Sequence, residues 1–277
     1  MEYKIIADSC CDMTPQLKER LGVVSVPLSM RLGPKEFVDN ESLDLAGFIA
    51  EMKQYSEKVG SSAPTPLSYK EAIEGAQNSF VITLSSQLSG SYANANLGKR
   101  LAEENGKAVT HVFDSKSASA GEILIAVKIR ELLQRGLSRE SIIQTVTHFI
   151  DNMKTYFVLE RHENLLKNGR LNKITGRLIS AFNIKLVLGS DGEGNVALYA
   201  KPRGINHMLE KLLSLIKDSQ KTTEDENLVI THCNNPGLAE RLRTMIEQRF
   251  KFKEILVVPT GGLSSLYADD QGVIMAF

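Results

Sequence analysis

Phe80-Val81-Ile82-Thr83-Leu84, followed at once by Ser85-Ser86-Gln87-Leu88-Ser89-Gly90-Ser91-Tyr92, decides the reading of this chain. A short apolar run, a cluster of small hydroxyl residues and then a helical pattern from Ala93 to Glu104 read as strand, loop and helix. The same order recurs on either side. Tyr3 to Ala7 leads into Asp8-Ser9-Cys10-Cys11-Asp12, and Val109 to Phe113 leads into Asp114-Ser115-Lys116-Ser117. A fourth hydroxyl-rich stretch is Ser61-Ser62-Ala63-Pro64-Thr65-Pro66. Alternation of this kind predicts βαβ units and a mainly parallel sheet. In such a sheet the carboxyl ends of the strands open on one crevice, where side chains meet ligand rather than core. Hydroxyls and amides with no general base among them predict a grip on an anion, not the cutting of a bond.

Local punctuation sets the helices. Thr14 before Pro15, with Gly22 behind, gives an N-cap, a first-turn proline and a C-terminal glycine in order. Ser68 to Glu71 and Ser119 to Glu122 match capping boxes, which predicts helices starting near Tyr69 and Ala120. A helix over Arg139 to Asn152 and a strand over Thr155 to Leu159 follow. The character then changes. Ile184 to Ser190, the turn Asp191-Gly192-Glu193-Gly194, and Asn195 to Ala200 read as an antiparallel hairpin. Beyond it come a helix over Ile205 to Lys217, a strand over Leu228 to Thr231, a helix over Leu238 to Arg249 and a strand over Ile255 to Val258. A second domain with a mixed sheet is the economical reading. Gly261-Gly262 reads as a turn.

The bulk numbers exclude several classes. The 277 residues allow one or two domains. Thirty-three basic residues balance 33 acidic ones, which leaves no electrostatic footprint for nucleic acid or an anionic membrane surface. No apolar run approaches the ~20 residues of a membrane span, and no leader pattern opens the chain, so a soluble, unprocessed protein is expected. Cys10, Cys11 and Cys233 are an odd set with two neighbours in sequence, a poor disulfide framework that suits a reducing cytoplasm. The five histidines are scattered without ligand spacing, so no metal is expected. Neither Gly-x-x-x-x-Gly-Lys nor Gly-x-Gly-x-x-Gly nor Gly-x-Ser-x-Gly occurs, against nucleotide binding and a serine hydrolase.

Each loop has an ordinary reading beside the functional one. Ser89 at a helix start suits a carboxylate or phosphate, since first-turn amides lack internal partners; it also suits a plain N-cap. The two prolines stiffen the Ser61 loop, as a preorganised binding loop or as a surface connection. Asp8 and Asp114, at strand ends, are placed to accept loop amides and fix the crevice. Arg170, after Gly169, and Arg203, in Lys201-Pro202-Arg203-Gly204, are solvated surface arginines or grips for a partner's acids.

Taken in order, these loops resemble the DegV family of bacterial fatty-acid-binding proteins. The resemblance runs the whole length: Asp8-Ser9 with Asp12, the Ser61 to Thr65 stretch, Leu84 to Tyr92, Asp114-Ser115, Leu165 to Arg170 and Lys201 to Gly204. It implies an α/β, two-domain DegV-like fold. Residues 1–153 would form an N-terminal parallel-sheet α/β domain carrying the carboxylate loops, and 154–277 a C-terminal α/β domain with a mixed sheet. A long-chain fatty acid would lie in an apolar tunnel at and beside the junction, with Leu171, Ile174, Leu178, Ile179 and Phe182 among its candidate walls.

The resemblance also implies roles. Ser61, Ser62, Ser89, Gly90 and Tyr267 would hold the carboxylate, and Asp8, Ser9, Asp114 and Ser115 would shape the loops. Arg170 and Arg203 would dock a fatty acid kinase catalytic subunit, which makes acyl phosphate for phospholipid synthesis. The chain itself would be no enzyme and need no cofactor beyond its lipid. It departs from the family in two places. Ser61 replaces a threonine and keeps the hydroxyl. In the tail, where the family has a carboxylate-binding histidine, counting back from Phe277 puts Tyr267, with Asp269 and Asp270 close by. Two alternatives stay open: a lipid sensor without kinase coupling, and an enzyme acting on a small anionic metabolite in the same crevice.

Overall fold

The computed structural model describes residues 3–104, 109–171 and 184–277. The first part of the chain runs β1 (Tyr3–Asp8), a 3-10 turn (Ser9–Cys11), α1 (Pro15–Leu21), β2 (Val23–Val26), β3 (Ser29–Leu32) and β4 (Lys35–Val38). It continues through α2 (Leu45–Gln54), β5 (Gly60–Ser62), α3 (Pro66–Ile73), β6 (Asn78–Thr83), α4 (Ser91–Glu103) and β7 (Val109–Asp114). Two helices follow, α5 (Ala120–Gln134) and α6 (Arg139–Asn152). The remainder runs β8 (Thr155–Leu159), α7 (Glu163–Lys167), β9 (Leu186–Ser190), β10 (Val196–Ala200) and α8 (Gly204–Asp218). It closes with β11 (Asn227–His232), α9 (Pro236–Glu247), β12 (Glu254–Pro259), α10 (Gly262–Ala268) and β13 (Val273–Ala276).

The protein is α/β. One sheet is wholly parallel, in the order β2-β1-β6-β7. The other large sheet is mixed, in the order β10-β9-β8-β13-β11-β12, with only β11 and β12 parallel. Helix α5 explains how the two sit together. Ala120 through Val127 are all buried, as expected of a helix covered on every side. It packs on β1 and β6 of one sheet and on β11 and β13 of the other. Ile5, Phe80, Ile82, Ile123 and Val229 accordingly share one apolar core across both sheets.

Several elements differ from the sequence reading. A small antiparallel sheet, β4-β3-β5, was not foreseen, and it turns part of the expected Ser61 loop into an edge strand. Helix α3 starts at Pro66, ahead of the expected Tyr69, because Thr65 caps it by accepting the Ser68 N–H at 3.1 Å. Helix α5 does start at Ala120, but the Ser119 hydroxyl makes no cap bond. It donates to Asp12 instead and lies 2.6 Å from the Thr231 hydroxyl. Gly261-Gly262, read as a turn, opens α10, and β13 lies between β8 and β11. The hairpin of β9 and β10 forms around Gly192 and Gly194, both with positive φ.

Candidate functional site

Because β1, β6 and β7 are parallel and in register, their carboxyl ends meet at one edge of the sheet. Asp8, last in β1, accepts the N–H of Leu84 at 2.9 Å and of Cys10 at 3.2 Å. Asp114, last in β7, accepts Ser86 N–H at 3.0 Å and Lys116 N–H at 3.1 Å. Each acid therefore ties the loop after β6 to its own loop. Ser9 accepts the N–H of Leu28 at 3.0 Å, and Ser115 donates to the Ser117 carbonyl at 3.0 Å. Each of these four side chains bonds backbone groups and so helps fix the shape of the crevice.

Contacts from the mixed sheet close the other side. Ser85 donates to the carbonyl of Gly194 at 2.7 Å, Ser190 to that of Lys116 at 2.9 Å, and the hydroxyls of Ser117 and Thr155 lie 2.7 Å apart. Between them lies a cavity of about 250 Å³. Leu28, Leu84, Phe157, Val196, Leu263 and Ile274 give it an apolar wall. Ser61, Ser89, Gly90, Arg170 and Tyr267 supply polar groups. The volume lies near the lower end of small-molecule pockets, ~300–1,000 Å³. Leu171 is buried in the adjoining core, while Ile174, Leu178, Ile179 and Phe182 lie outside the described residues.

The polar groups come from distant parts of the chain. Ser61 sits on β5 opposite Met30, and its hydroxyl lies 2.7 Å from that of Tyr267 on α10. Strand alternation points the next residue the other way. Ser62 is exposed and does not line the cavity, so it stands apart from the expected carboxylate set. Ser89 is not the N-cap of α4. That position belongs to Gly90, which gives no side-chain cap, and Ser89 accepts the Ser91 N–H at 3.2 Å. The hydroxyls of Ser89 and Ser91 are 3.0 Å apart.

The two arginines part company. Arg170, half-buried, lines the cavity, donates from Nε to the Leu88 carbonyl at 3.2 Å and from Nη1 to the Asn168 carbonyl, and lies 5.9 Å from the ring centre of Tyr267. Arg203 is exposed at the start of α8 and is no part of the lining. Asp269 and Asp270 do not line it either. Asp270 pairs with Lys53 at 2.7 Å and accepts from Asn234 at 3.0 Å, while Asp269 accepts the Asp270 N–H at 2.7 Å.

Behind the crevice lies a buried acidic pair that the sequence reading missed in part, since Glu122 was read only as a capping-box residue. Asp8, Cys10 and Glu122 bring one potential ligand atom each within 4.8 Å of one another, and all three are buried. Burial pushes Asp8 up to about 7, although the Leu84 N–H opposes it. Burial, and then the charge of Asp8, holds Glu122 well above the usual carboxylate range. Burial raises the thiols of Cys10 and Cys11 too, so neither is a reactive thiolate. A metal needs deprotonated ligands, and burial favours the protonated form of all three groups. A larger cleft of about 660 Å³ is bordered by Thr14, Lys18, Asp39 and Glu41. Its buried acids, Asp12 and Asp39, accept backbone N–H groups of the Gly261–Leu263 segment and make it unsuited to an anion.

Among the described residues no helix is long and apolar enough to cross a membrane. The sequence matches the family model described as "Uncharacterised protein, DegV family" over residues 2–274. A DegV domain-containing protein of Streptococcus gordonii is 34% identical over 282 residues, covering 100% of this chain and 99% of its own. Among solved structures, a DegV family protein of Ruminococcus gnavus, refined with vaccenic acid, has 36% identity and a TM-score of 0.94 over 99% of both chains. The fatty acid kinase (Fak) B3 protein of Streptococcus pneumoniae, loaded with linoleic acid, has 32% identity and a TM-score of 0.91, covering 100% of this chain and 99% of that one. A DegV family protein of Eubacterium eligens, loaded with heptadecanoic acid, has 26% identity and a TM-score of 0.91 over 99% of both chains. Sheet order, loop chemistry and full-length match agree, and the chain belongs to the DegV family.

Proposed function

We propose that this chain binds a long-chain fatty acid, with the acyl chain in the apolar cavity and the carboxylate at Ser61, Ser89, Gly90 and Tyr267. The observation that carries the reading is the meeting of Ser61 and Tyr267 hydroxyls, 2.7 Å apart, on the wall of a cavity that Leu28, Leu84, Phe157, Val196, Leu263 and Ile274 also line. The energetics suit it. Each buried methylene gains ~0.8 kcal/mol, so a chain of about sixteen carbons offers roughly 12 kcal/mol gross, less the costs of ordering. A carboxylate stripped of water costs several kcal/mol unless hydrogen-bonded, which the hydroxyls and the first amides of α4 offset. The lipids carried by the Ruminococcus gnavus and Eubacterium eligens proteins support the same ligand class.

The likeness to the Fak B3 protein supports presentation of the bound acid to a fatty acid kinase, which would form acyl phosphate. In that role the chain is a non-catalytic subunit without a cofactor, working in the cytoplasm, where three free cysteines stay reduced. Residues 1–153 act as the lobe that carries the Ser61 and Ser89 loops, and 154–277 as the lobe that supplies Tyr267 and covers the tail. Lipid extracted from the purified protein and identified by mass spectrometry tests the first claim; a protein that neither carries nor takes up an acyl chain overturns it. Adding a fatty acid kinase and ATP to the loaded protein tests the second, with acyl phosphate as the expected product. If the chain loads but yields none, it is a lipid sensor.

A further inference from the structure

The cavity has a second polar end. Its first end, with Tyr267, lies beside α7, where Asn164 donates to the Leu266 carbonyl at 2.8 Å. Strand β8 runs toward α7 and finishes at Leu159. Going back from Leu159, Phe157 and Thr155 lie on one face of the strand, and both line the cavity. Thr155 is thus about 13 Å behind Leu159. There its hydroxyl lies 2.7 Å from that of Ser117, and the two residues are only 6% and 4% exposed. The other polar residues at that end are committed elsewhere. Lys116 pairs with Asp151 at 3.0 Å, Ser190 donates to the Lys116 carbonyl at 2.9 Å, and the Asn195 amide donates to Asp191 at 2.9 Å. Ser119 and Ser264, which also line the cavity, both serve Asp12. Ser117 and Thr155 hold two O–H groups between them, and their mutual bond uses one. Among the described residues the second finds at best the Ala118 carbonyl, 3.4 Å from Ser117 Oγ and beyond the ordinary reach of an O–H donor. A buried hydroxyl short of a partner, at the inner end of a cavity shaped for an apolar tail, calls for an oxygen on the guest.

We propose that Ser117 and Thr155 form a second polar subsite, which takes a hydroxyl or keto oxygen on the far part of the acyl chain, so that the protein prefers an oxygenated fatty acid to a plain one of equal length. This rests on the fatty-acid reading above. A guest hydroxyl accepts the unpaired O–H and can donate to a lone pair of either oxygen; a keto oxygen does the first alone. A methyl group does neither and leaves the O–H without a partner. The subsite is built like the first one. Ser61 and Tyr267 meet across the two parts of the chain, and so do Ser117, in the loop after β7, and Thr155, at the start of β8. Both ends of the cavity therefore join the parallel-sheet part to the mixed-sheet part through a pair of hydroxyls.

The test compares octadecanoic acid with hydroxyoctadecanoic acids that carry the hydroxyl at mid-chain or on the last carbon. The readout is the ratio of affinities for hydroxylated and plain acid, from calorimetric titration of the unaltered chain and of Thr155→Val, Thr155→Ser and Ser117→Ala. In the unaltered chain at least one hydroxylated acid should bind about threefold to tenfold tighter than the plain one. Thr155→Val keeps the shape and removes the hydroxyl, so the preference should vanish; Ser117→Ala should act likewise, and Thr155→Ser should retain it. The ratio in the unaltered chain stands whether or not a variant folds. A plain acid that binds as tightly as both hydroxylated ones, or a preference that survives both Thr155→Val and Ser117→Ala, overturns the subsite while leaving the fatty-acid reading in place. An unaltered chain that binds none of the acids overturns both.

Discussion

Asp12 accepts the backbone N–H of Gly261 at 2.7 Å, joining the loop after the first strand to the start of the helix that carries Tyr267. Its second oxygen takes the Ser119 hydroxyl at the start of α5. Asp39 accepts the next two amides, Gly262 at 2.8 Å and Leu263 at 3.0 Å. Two acids from the first forty residues thus cap α10, which has no side-chain cap of its own. The placement of Tyr267 against Ser61 depends on them.

Asp39→Ala is expected to cost about 1–2 kcal/mol of stability, as the loss of an N-cap does. Because α10 carries Tyr267, fatty-acid affinity should fall with it. Urea unfolding and lipid titration check the two effects. An unchanged unfolding midpoint would show that the helix start does not need the carboxylate.

The buried pair Asp8 and Glu122 gives a pH-dependent prediction. Burial raises Glu122 well above its ordinary 4.5, so above about pH 4.5 the folded chain holds a proton that the unfolded chain has released. Stability is then lost as pH rises, because the folded state binds more protons. Asp8 and Asp12, both raised to about 7, act in the same direction between about pH 4 and 7. His111, pulled down to about 4 by burial, opposes them below about pH 6.5. The comparison is therefore made as a difference. Glu122→Gln, which keeps the shape and cannot ionise, should gain stability relative to the unaltered chain from pH 5 to pH 8. Denaturant curves at both pH values read this; a difference independent of pH removes the proton from the pair.

Gly194 offers a test of the contact between hairpin and crevice. Its φ is +91°, and a Cβ there would sit 2.3 Å from Ser85 Oγ and 3.1 Å from Lys116 Cα. Gly192 has φ +92° but nothing within 4 Å. Both alanine variants carry the backbone strain, and only Gly194→Ala adds a clash. Gly194→Ala should therefore lose about 1–3 kcal/mol more than Gly192→Ala. It should also release lipid faster, since Gly194 lines the cavity. Thermal unfolding and lipid retention measure the pair, and equal losses would mean that the crevice tolerates the methyl.

What the sequence discloses follows from the range of each interaction. The parallel strands, the hairpin and the helix of Thr14, Pro15 and Gly22 rest on neighbours within a few residues, and their signals are local. The Thr14 hydroxyl accepts the Leu17 N–H, and Gly22 is left-handed as a C-cap should be. The small sheet escapes notice because its strands have three or four residues and exist only through pairing, Ser61 with Met30 for example. Strand β13 gains its place from β8 and β11, far away in sequence. Ser119 fits a capping box, yet Asp12 and Thr231 compete for its hydroxyl and win. Tyr267 could be found only by counting along a tail against a known family. The sequence reads as a turn at Gly261-Gly262 with no helix named after it, and the partner of Tyr267, Ser61, lies 206 residues away.

That separation makes the Ser61 and Tyr267 pair a test of whether the two hydroxyls act together on a ligand. Each can donate one hydrogen bond while accepting another, so one hydroxyl can pass its proton toward a carboxylate while receiving its partner's. Ser61→Ala leaves Tyr267 without its 2.7 Å partner, and Tyr267→Phe does the same to Ser61. Each single change should weaken fatty-acid binding by about 1 kcal/mol or somewhat more, since a hydrogen bond to an ionised group exceeds a neutral one. The double variant should lose less than the sum of the two, with a coupling of about 0.5–3 kcal/mol. Calorimetric titration of the four proteins with one fatty acid gives the coupling directly. Strict additivity would mean that the hydroxyls bind the head group independently or not at all, and the site would then have to be centred on Ser89 and the start of α4.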